Sequence, residues 1–140
     1  MWIFYALGSA ILAALVGVFG KLGLKEVDST QATIIRGVIM AVILLLGGLL
    51  FGKFSNFSIS QYSNKAWIFI LLSALSGALS WILYFIALKA GPASSVAVID
   101  KLSVVILVLL ASLFLGEALT LKSVIGITLI FVGSLFVLFK

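Results

Sequence analysis

Five long apolar stretches alternate with short polar segments along the 140-residue chain. A bilayer core about 30 Å thick is crossed by a helix of roughly 20 apolar residues. The pattern therefore predicts an all-α membrane protein with five transmembrane helices and with its termini on opposite sides of the membrane. The predicted spans cover about residues 2–24, 31–51, 66–88, 93–115 and 121–139, within one unit of residues 1–140.

Polar residues and helix breakers at the ends of these stretches support the division. Residues 28–31 read Asp-Ser-Thr-Gln, which is a capping pattern for the second helix. The pair Gly91–Pro92 interrupts the chain and predicts a tight antiparallel hairpin of the third and fourth helices. We expect Gly116 to end the fourth helix and Thr120 to cap the fifth.

The longest connector, residues 52–65, carries aromatic side chains among serines and asparagines. Rings of this kind favour the interface between hydrocarbon and water. We therefore expect Phe54, Phe57 and Tyr62 to anchor the connector at the membrane surface.

Composition narrows the possible functions. The chain is 64% hydrophobic and 9% charged, whereas a soluble domain is roughly half apolar and about a quarter charged. It has no histidine and no cysteine, so the commonest metal ligands and nucleophile–base pairs are missing. We expect no catalytic residues, no metal and no cofactor. The net charge of +5 is scattered, and it therefore predicts no nucleic-acid partner.

The flanking charges are nearly balanced between the two sides of the membrane. The amino-terminal side holds Lys53, Lys65 and Lys122, and the other side holds Lys21, Lys25, Lys89 and Lys140. The bias leans weakly toward a cytoplasmic carboxyl terminus. A bias this weak also permits insertion in both orientations.

An ungapped shift of 64 residues brings similar segments of the chain into register. Identical residues then align at Leu24–Lys25 with Leu88–Lys89, Ile35 with Ile99, and Gly52 with Gly116. A repeat would make helices one and two recur as helices three and four, in the same orientation, with Arg36 aligned to Asp100. Chance is the alternative, because leucine and glycine are abundant.

Three ionisable residues lie inside the predicted spans: Arg36, Asp100 and Lys101. A charge at the bilayer centre costs about 2.5–3.5 kcal/mol on insertion scales. Arginine and lysine can extend to the headgroups, but aspartate is too short and needs a partner. Arg36 is the first choice for Asp100, and Lys21 and Lys101 are alternatives. Such a pair either fixes helix packing or lines a polar cavity that binds substrate or a coupling proton.

A polar stripe follows one face of the third helix, and a shorter one follows the fourth. Ser76, Ser80 and Tyr84 recur every four residues, with Trp81 beside them. The alternatives are close helix packing for the small residues and an interfacial aromatic belt for the rings. We predict a substrate or coupling cavity lined by Arg36, Ser76, Ser80, Trp81, Tyr84, Asp100, Lys101 and Ser103.

Three runs of sequence resemble a known family. Residues 80–94 read SWILYFIALKAGPAS, residues 98–105 read VIDKLSVV, and residues 113–120 read LFLGEALT. Together they resemble the EamA-type drug/metabolite transporter superfamily, over essentially the whole chain as one five-helix EamA-like unit. The Asp-Lys-Leu-Ser version resembles the small bacterial and archaeal transporters that have five helices.

The resemblance implies that a single five-helix unit is half of a transporter. Most members that the chain resembles have ten helices, built as two units in inverted orientation, so two copies would pair antiparallel around a cavity. It also implies small metabolites such as amino acids as substrates, frequent export, and cavity roles for Trp81, Tyr84, Asp100, Lys101 and Ser103. Related small multidrug exporters carry an acidic residue in the first helix. This chain has none there, which argues against their simple cation–proton exchange.

We therefore expect a secondary transporter, more specifically an exporter, that works by alternating access in the prokaryotic plasma (inner) membrane. Its partners would be a small-molecule metabolite, the lipid bilayer, and a second copy in an antiparallel homodimer or a different five-helix unit. The alternative is a non-transporting or heteromeric membrane subunit, such as a flippase or assembly accessory. An intramembrane enzyme is the third option, weakened by the missing histidine, cysteine and paired acids.

Overall fold

The apolar stretches of the sequence fold into helices that are long enough to cross a bilayer. A computed structural model describes residues 1–55, 57–58 and 61–138. Within these ranges the regular elements are all helices, and they supply five apolar spans, which confirms the predicted fold class. The helices are α1 (Trp2–Gly23), α2 (Ser29–Leu50), α3 (Asn64–Ala90), α4 (Ala93–Asp100), α5 (Leu102–Leu115) and α6 (Leu121–Leu138).

Local signals end and begin these helices as the sequence predicts. The Asp28 carboxylate accepts hydrogen bonds from the amides of Thr30 and Gln31, at 2.9 and 3.1 Å, and so caps α2. The Thr120 hydroxyl oxygen accepts from the Ser123 amide at 3.1 Å and caps α6. These side chains bind amides of the first helical turn, which have no acceptor within the helix.

The fourth span, Ala93–Leu115, is not one continuous helix. It divides into α4 and α5 at Lys101, which keeps right-handed helical angles of φ −68° and ψ −12°. The Lys101 amide is shared between the carbonyls of Ala97 and Val98, and the Val104 amide reaches back only three residues to Lys101. The backbone thus tightens to a 3₁₀-like turn at a site with neither proline nor glycine.

The backbone supports the internal repeat. Asp28 and Pro92, which precede α2 and α4, are 64 residues apart and have nearly identical angles: φ −63° and ψ 141° for the first, φ −62° and ψ 135° for the second. Gly52 and Gly116 follow the second and fourth spans at the same spacing, with φ of 63° and 69°. They are the glycines with positive φ in the described part of the chain. The second and fourth spans are therefore bounded by residues at equivalent positions of the repeat.

Two compact units make up the chain. The first unit contains residues 1–21 and 90–140, and the second unit contains residues 22–89. In the first unit α6 contacts both α4 and α5, and the buried residues are Gly17, Ala111 and Ser134. In the second unit the buried residues are Leu24, Ser29, Thr33, Phe85 and Leu88.

The apolar side chains of the spans are largely uncovered. Each span has only one or two buried residues among those described, and side chains such as Leu83 and Phe136 are 67% and 79% exposed. So much exposed apolar surface is incompatible with water and is suited to hydrocarbon. The protein is therefore a multi-pass integral membrane protein.

The connector between α2 and α3 carries a chain of aromatic rings. Phe54 contacts Phe57, Phe57 contacts Tyr62, and Tyr62 contacts Trp67, with ring centroids 6.0, 6.1 and 6.0 Å apart. The Phe54 ring also lies against the backbone of Gly48, near the end of α2, so closely that a Cβ atom there would be 2.4 Å from the ring. The three aromatic residues predicted as membrane anchors are thus linked to each other and to both flanking helices.

Candidate functional site

Arg36 lies over two aromatic rings inside the second unit. It is seven residues from the start of α2, which corresponds to about 10 Å along the helix. Its guanidinium carbon is 4.2 Å from the centroid of the Trp81 ring and 5.2 Å from that of Phe85. Trp81 and Phe85 are four residues apart on α3, and therefore share one face of that helix.

The ring contacts stabilise the charge of the guanidinium but leave one of its nitrogen atoms without a hydrogen bond. A cation over an aromatic ring gains about 0.5–2 kcal/mol, more when water is excluded. The Nη1 atom of Arg36 is buried and has no hydrogen-bond partner among the described residues. An unsatisfied buried donor costs about 1–3 kcal/mol, and more when it is charged. The site therefore lacks a hydrogen-bond acceptor for the Nη1 atom of Arg36 among the described residues.

Tyr84 adds a polar group beside these rings. It is half-buried, its ring meets that of Phe85 edge to face at 6.0 Å, and it interacts electrostatically with Arg36. Arg36, Trp81 and Tyr84 are thus brought together as neighbours within one unit. The predicted set omits Phe85, although its spacing from Trp81 was a usable signal.

One end of this site is packed. Phe85 and Leu88 of α3 are buried, as is Thr33, three residues before Arg36 on α2. The Thr33 hydroxyl donates to the Ser29 carbonyl at 2.8 Å, which satisfies it within its own helix. Arg36 therefore lies next to a cluster of buried side chains.

Two lysine side chains donate hydrogen bonds to carbonyls in the connectors between helices, one in each unit. In the second unit the Lys89 ammonium donates to the carbonyls of Leu24 and of Val27, the latter at 2.9 Å. In the first unit the Lys21 ammonium donates to the carbonyl of Gly91 at 2.7 Å. Val27 and Gly91 are 64 residues apart, so the accepting carbonyls are equivalent positions of the repeat. From the sequence, both lysines are predicted as charges that flank the membrane, and Lys21 also as an alternative partner for Asp100.

The serines predicted for the cavity lie on open surface. Ser76 and Ser80 are exposed on α3, in the turns that precede Tyr84, and Ser103 is exposed on α5. Their participation in a substrate cavity stays a prediction.

Asp100 and Lys101 meet at the break between α4 and α5. The Asp100 Oδ2 and Lys101 Nζ atoms are 3.6 Å apart, and their side chains are 39% and 58% exposed. An ion pair this open contributes little to stability in water. Lys101 was an alternative partner for Asp100, and within the first unit it is the observed one. The preferred pairing with Arg36, which belongs to the second unit, stays a prediction.

Acidic side chains are too scattered to form a metal site in the part of the chain that the structure describes. It contains no group of three or more metal-ligating side chains of the His, Cys, Asp and Glu types. The groups in the spans that could contact a solute are one guanidinium, aromatic rings, hydroxyl groups and a single carboxylate.

Comparison with known proteins places this architecture in a family. Residues 1–139 match the EamA-like transporter family. The chain is 40% identical over 134 residues to an uncharacterized transporter encoded in the cobO 3′ region of Sinorhizobium sp, which covers 96% of this chain and 94% of that protein. It is 34% identical over 125 residues to the uncharacterized transporter YvbV of Bacillus subtilis, which covers 89% of this chain and 40% of that protein.

A third relative is archaeal. The uncharacterized protein MJ1333.1 of Methanocaldococcus jannaschii is 35% identical over 99 residues, covering 71% of this chain and 66% of that protein. No solved structure matches the chain. The match over nearly the whole length, together with five apolar spans, shows that this chain belongs to the EamA-like transporter family.

Proposed function

We propose that the protein is a secondary transporter that exports small metabolites by alternating access, as an antiparallel homodimer in the prokaryotic plasma membrane. The observation that carries this proposal is membership of a transporter family by a chain that buries only one or two residues in each of its spans. A single copy leaves apolar helix faces and a stripe of hydroxyl groups uncovered, and a second copy would cover part of both.

The lengths of the relatives support a two-unit transporter. The chain covers 94% of the Sinorhizobium relative but only 40% of the Bacillus relative. The longer protein has room for two units of this size in one chain, whereas the shorter proteins would obtain the second unit by association. Inverted units are a common architecture among secondary transporters.

The charge distribution supports antiparallel pairing of identical chains. Lysines lie on both sides of the predicted membrane, and only a strong imbalance fixes one orientation. Copies inserted in opposite directions can then meet in the same membrane. A pair of this kind restores an even number of spans and the inverted symmetry that alternating access uses.

Residues for binding and coupling are present inside the spans. Arg36 with Trp81 and Tyr84 offers a cation and aromatic surface to a solute. Asp100 is the one carboxylate within a span, since the other acidic residues, Glu26, Asp28 and Glu117, lie in connectors. Ionisable groups at this depth are characteristic of transport pathways. We assign Asp100 to coupling, with a proton or counter-substrate.

Membrane orientation is the first test. The chain has no cysteine, so a single introduced cysteine reports one position without background. Ser55→Cys, in the connector after α2, and Ser94→Cys, in the first turn of α4, are both exposed and leave every charge in place. In intact cells an impermeant maleimide should label part of each population. Complete labelling of one variant and none of the other would contradict dual insertion.

Transport itself is tested in proteoliposomes that contain only this protein. Uptake of labelled metabolites against liposomes without protein should reveal at least one substrate, and preloaded substrate should accelerate uptake by exchange. Failure of the well-folded protein across the panel, with recovery on adding a second five-helix protein, would replace the homodimer by the heteromeric alternative. Failure under both conditions would refute the transport proposal.

A further inference from the structure

We propose that Arg36 binds the carboxylate of the transported solute, in a site walled by Trp81 and Phe85, and that the solute is a monocarboxylate. The inference rests on the proposed transport function and adds to it a substrate class and a binding residue. It starts from two observations in the second unit: the guanidinium lies over two rings, and its buried Nη1 atom has no partner among the described residues.

The geometry of a guanidinium determines what can complete this site. The guanidinium carbon lies over the rings of Trp81 and Phe85, at 4.2 and 5.2 Å from their centroids. Its N–H groups lie in the plane of the guanidinium, and an aromatic ring is only a weak acceptor for them. A carboxylate accepts two such N–H groups at once in the same plane and neutralises the charge.

The second unit does not supply this carboxylate itself. Its acidic residues are Glu26 and Asp28, both in the connector before α2. The Asp28 carboxylate already accepts two amides at the start of α2. It is eight residues from Arg36, or about 12 Å along the helix. Within the second unit, the half-buried guanidinium therefore has no negative partner at its own depth.

The charge of the site favours a solute that carries a single negative charge. Arg36 is the only basic residue in the interior of α2 or α3, because Lys65 and Lys89 lie at the two ends of α3. Lys89 is engaged with backbone carbonyls. One buried cation neutralises one carboxylate, whereas a doubly charged phosphate group would keep an uncompensated charge in a medium of low dielectric constant.

The neighbouring rings suit the rest of such a solute. Trp81 and Tyr84 are half-buried, so part of each ring remains available for contact with an apolar body. Aromatic rings offer large contact areas with little loss of conformational freedom. The site thus joins one anion-binding group to apolar surface, as a monocarboxylate with an apolar body requires.

Binding to the purified full-length protein in liposomes tests the assignment. The probes are acetate, hexanoate and 3-phenylpropionate, each beside its uncharged amide, and phenyl phosphate for the phosphate alternative. Tryptophan fluorescence provides the readout. At least one acid should bind about tenfold to hundredfold more tightly than its amide, the range expected for a charge-assisted hydrogen-bonded pair. Binding of no acid, equal binding of every acid and its amide, or tighter binding of phenyl phosphate would overturn the proposal.

Variants separate a binding role from a folding role. Arg36→Gln should abolish the preference for the acid, and Arg36→Lys should retain part of it through charge alone. Lys53→Gln, which removes an exposed cation outside the spans, should leave the preference unchanged. All are compared by melting temperature, and Arg36→Lys keeps the test open if Arg36→Gln misfolds. Preference that survives in a folded Arg36→Gln protein would overturn the assignment.

Two further outcomes are distinguishable. Restoration of wild-type stability by the double exchange Arg36→Asp with Asp100→Arg would identify Asp100, not a solute, as the partner of Arg36 and overturn the inference. Selective acid binding without movement across the membrane would refute transport and leave the anion site standing. Transport of solutes without preference for acids would refute the anion site and leave the transport proposal standing.

Discussion

Gly52 and Gly116 stand 64 residues apart and share the left-handed backbone conformation, with φ of 63° and 69°. Each follows a membrane span, the first after α2 and the second after α5. The residues that precede the same two spans, Asp28 and Pro92, also match in backbone angles. The 64-residue spacing found in the sequence thus also relates the boundaries of the second and fourth spans.

Alanine at either glycine should destabilise the protein by about 1–2 kcal/mol, because a Cβ atom opposes the left-handed conformation by that amount. Gly126→Ala is the matched control, since Gly126 is helical and a Cβ atom there meets nothing within 4 Å. Unfolding in mixed detergent and SDS measures the difference. Equal effects at all three positions would show that positive φ is not what these sites require.

Lys89→Met should cost about 1–3 kcal/mol of unfolding free energy, because carbonyls at the α1–α2 connector lose a charged donor. Lys21→Met should also destabilise the protein, because the Gly91 carbonyl loses a charged donor. Lys122→Met removes an exposed lysine and serves as the control. The same SDS titration ranks the three variants, and a Lys89→Met protein as stable as the control would contradict this role.

Neighbouring glycines in α2 should respond to alanine in opposite ways. Gly47 has open space, so Gly47→Ala should stabilise the helix by about 0.5–1 kcal/mol. Gly48→Ala should lose that gain, because its Cβ atom would be 2.4 Å from the Phe54 ring. In a Phe54→Ala background the two substitutions should become equal. A difference that persists there would exclude the ring as its cause.

Asp100→Asn should abolish net transport driven by a pH gradient while leaving exchange of preloaded substrate measurable. The substitution keeps the size of the side chain and removes the one titratable carboxylate within a span. Proteoliposomes with an imposed gradient separate the two activities, and Glu117→Gln, in the α5–α6 connector, is the control. An unchanged response to the gradient would remove Asp100 from proton coupling.

Local signals explain why the fold was predictable. Helix length, the Asp28 cap, the Gly91–Pro92 break and the Gly116 stop all act within a few residues of the chain. The break at Lys101 was not predictable in this way, because the residue is neither proline nor glycine and keeps helical angles. It becomes visible only in the hydrogen bonds that the backbone makes around it.

The features that could not be predicted are contacts between residues that are distant in sequence. Arg36 was identified from its charge and depth, but its contact with Phe85 depends on how α2 and α3 meet. Lys89 was counted as a charge that orients the protein, whereas its position at the end of α3 brings it to carbonyls 62 and 65 residues earlier in the chain. Both contacts join residues that are distant in sequence and carry no shared motif.

The break at Lys101 also bears on how tightly the fourth span holds its amide protons. A continuous helix in hydrocarbon shields its peptide hydrogens from exchange, whereas the 3₁₀-like turn at Lys101 has poorer bonding geometry. It also lies beside an ion pair whose side chains are 39% and 58% exposed. Deuterium should therefore replace hydrogen faster at residues 101–104 than in the middle of α5, so that this span exchanges as two segments.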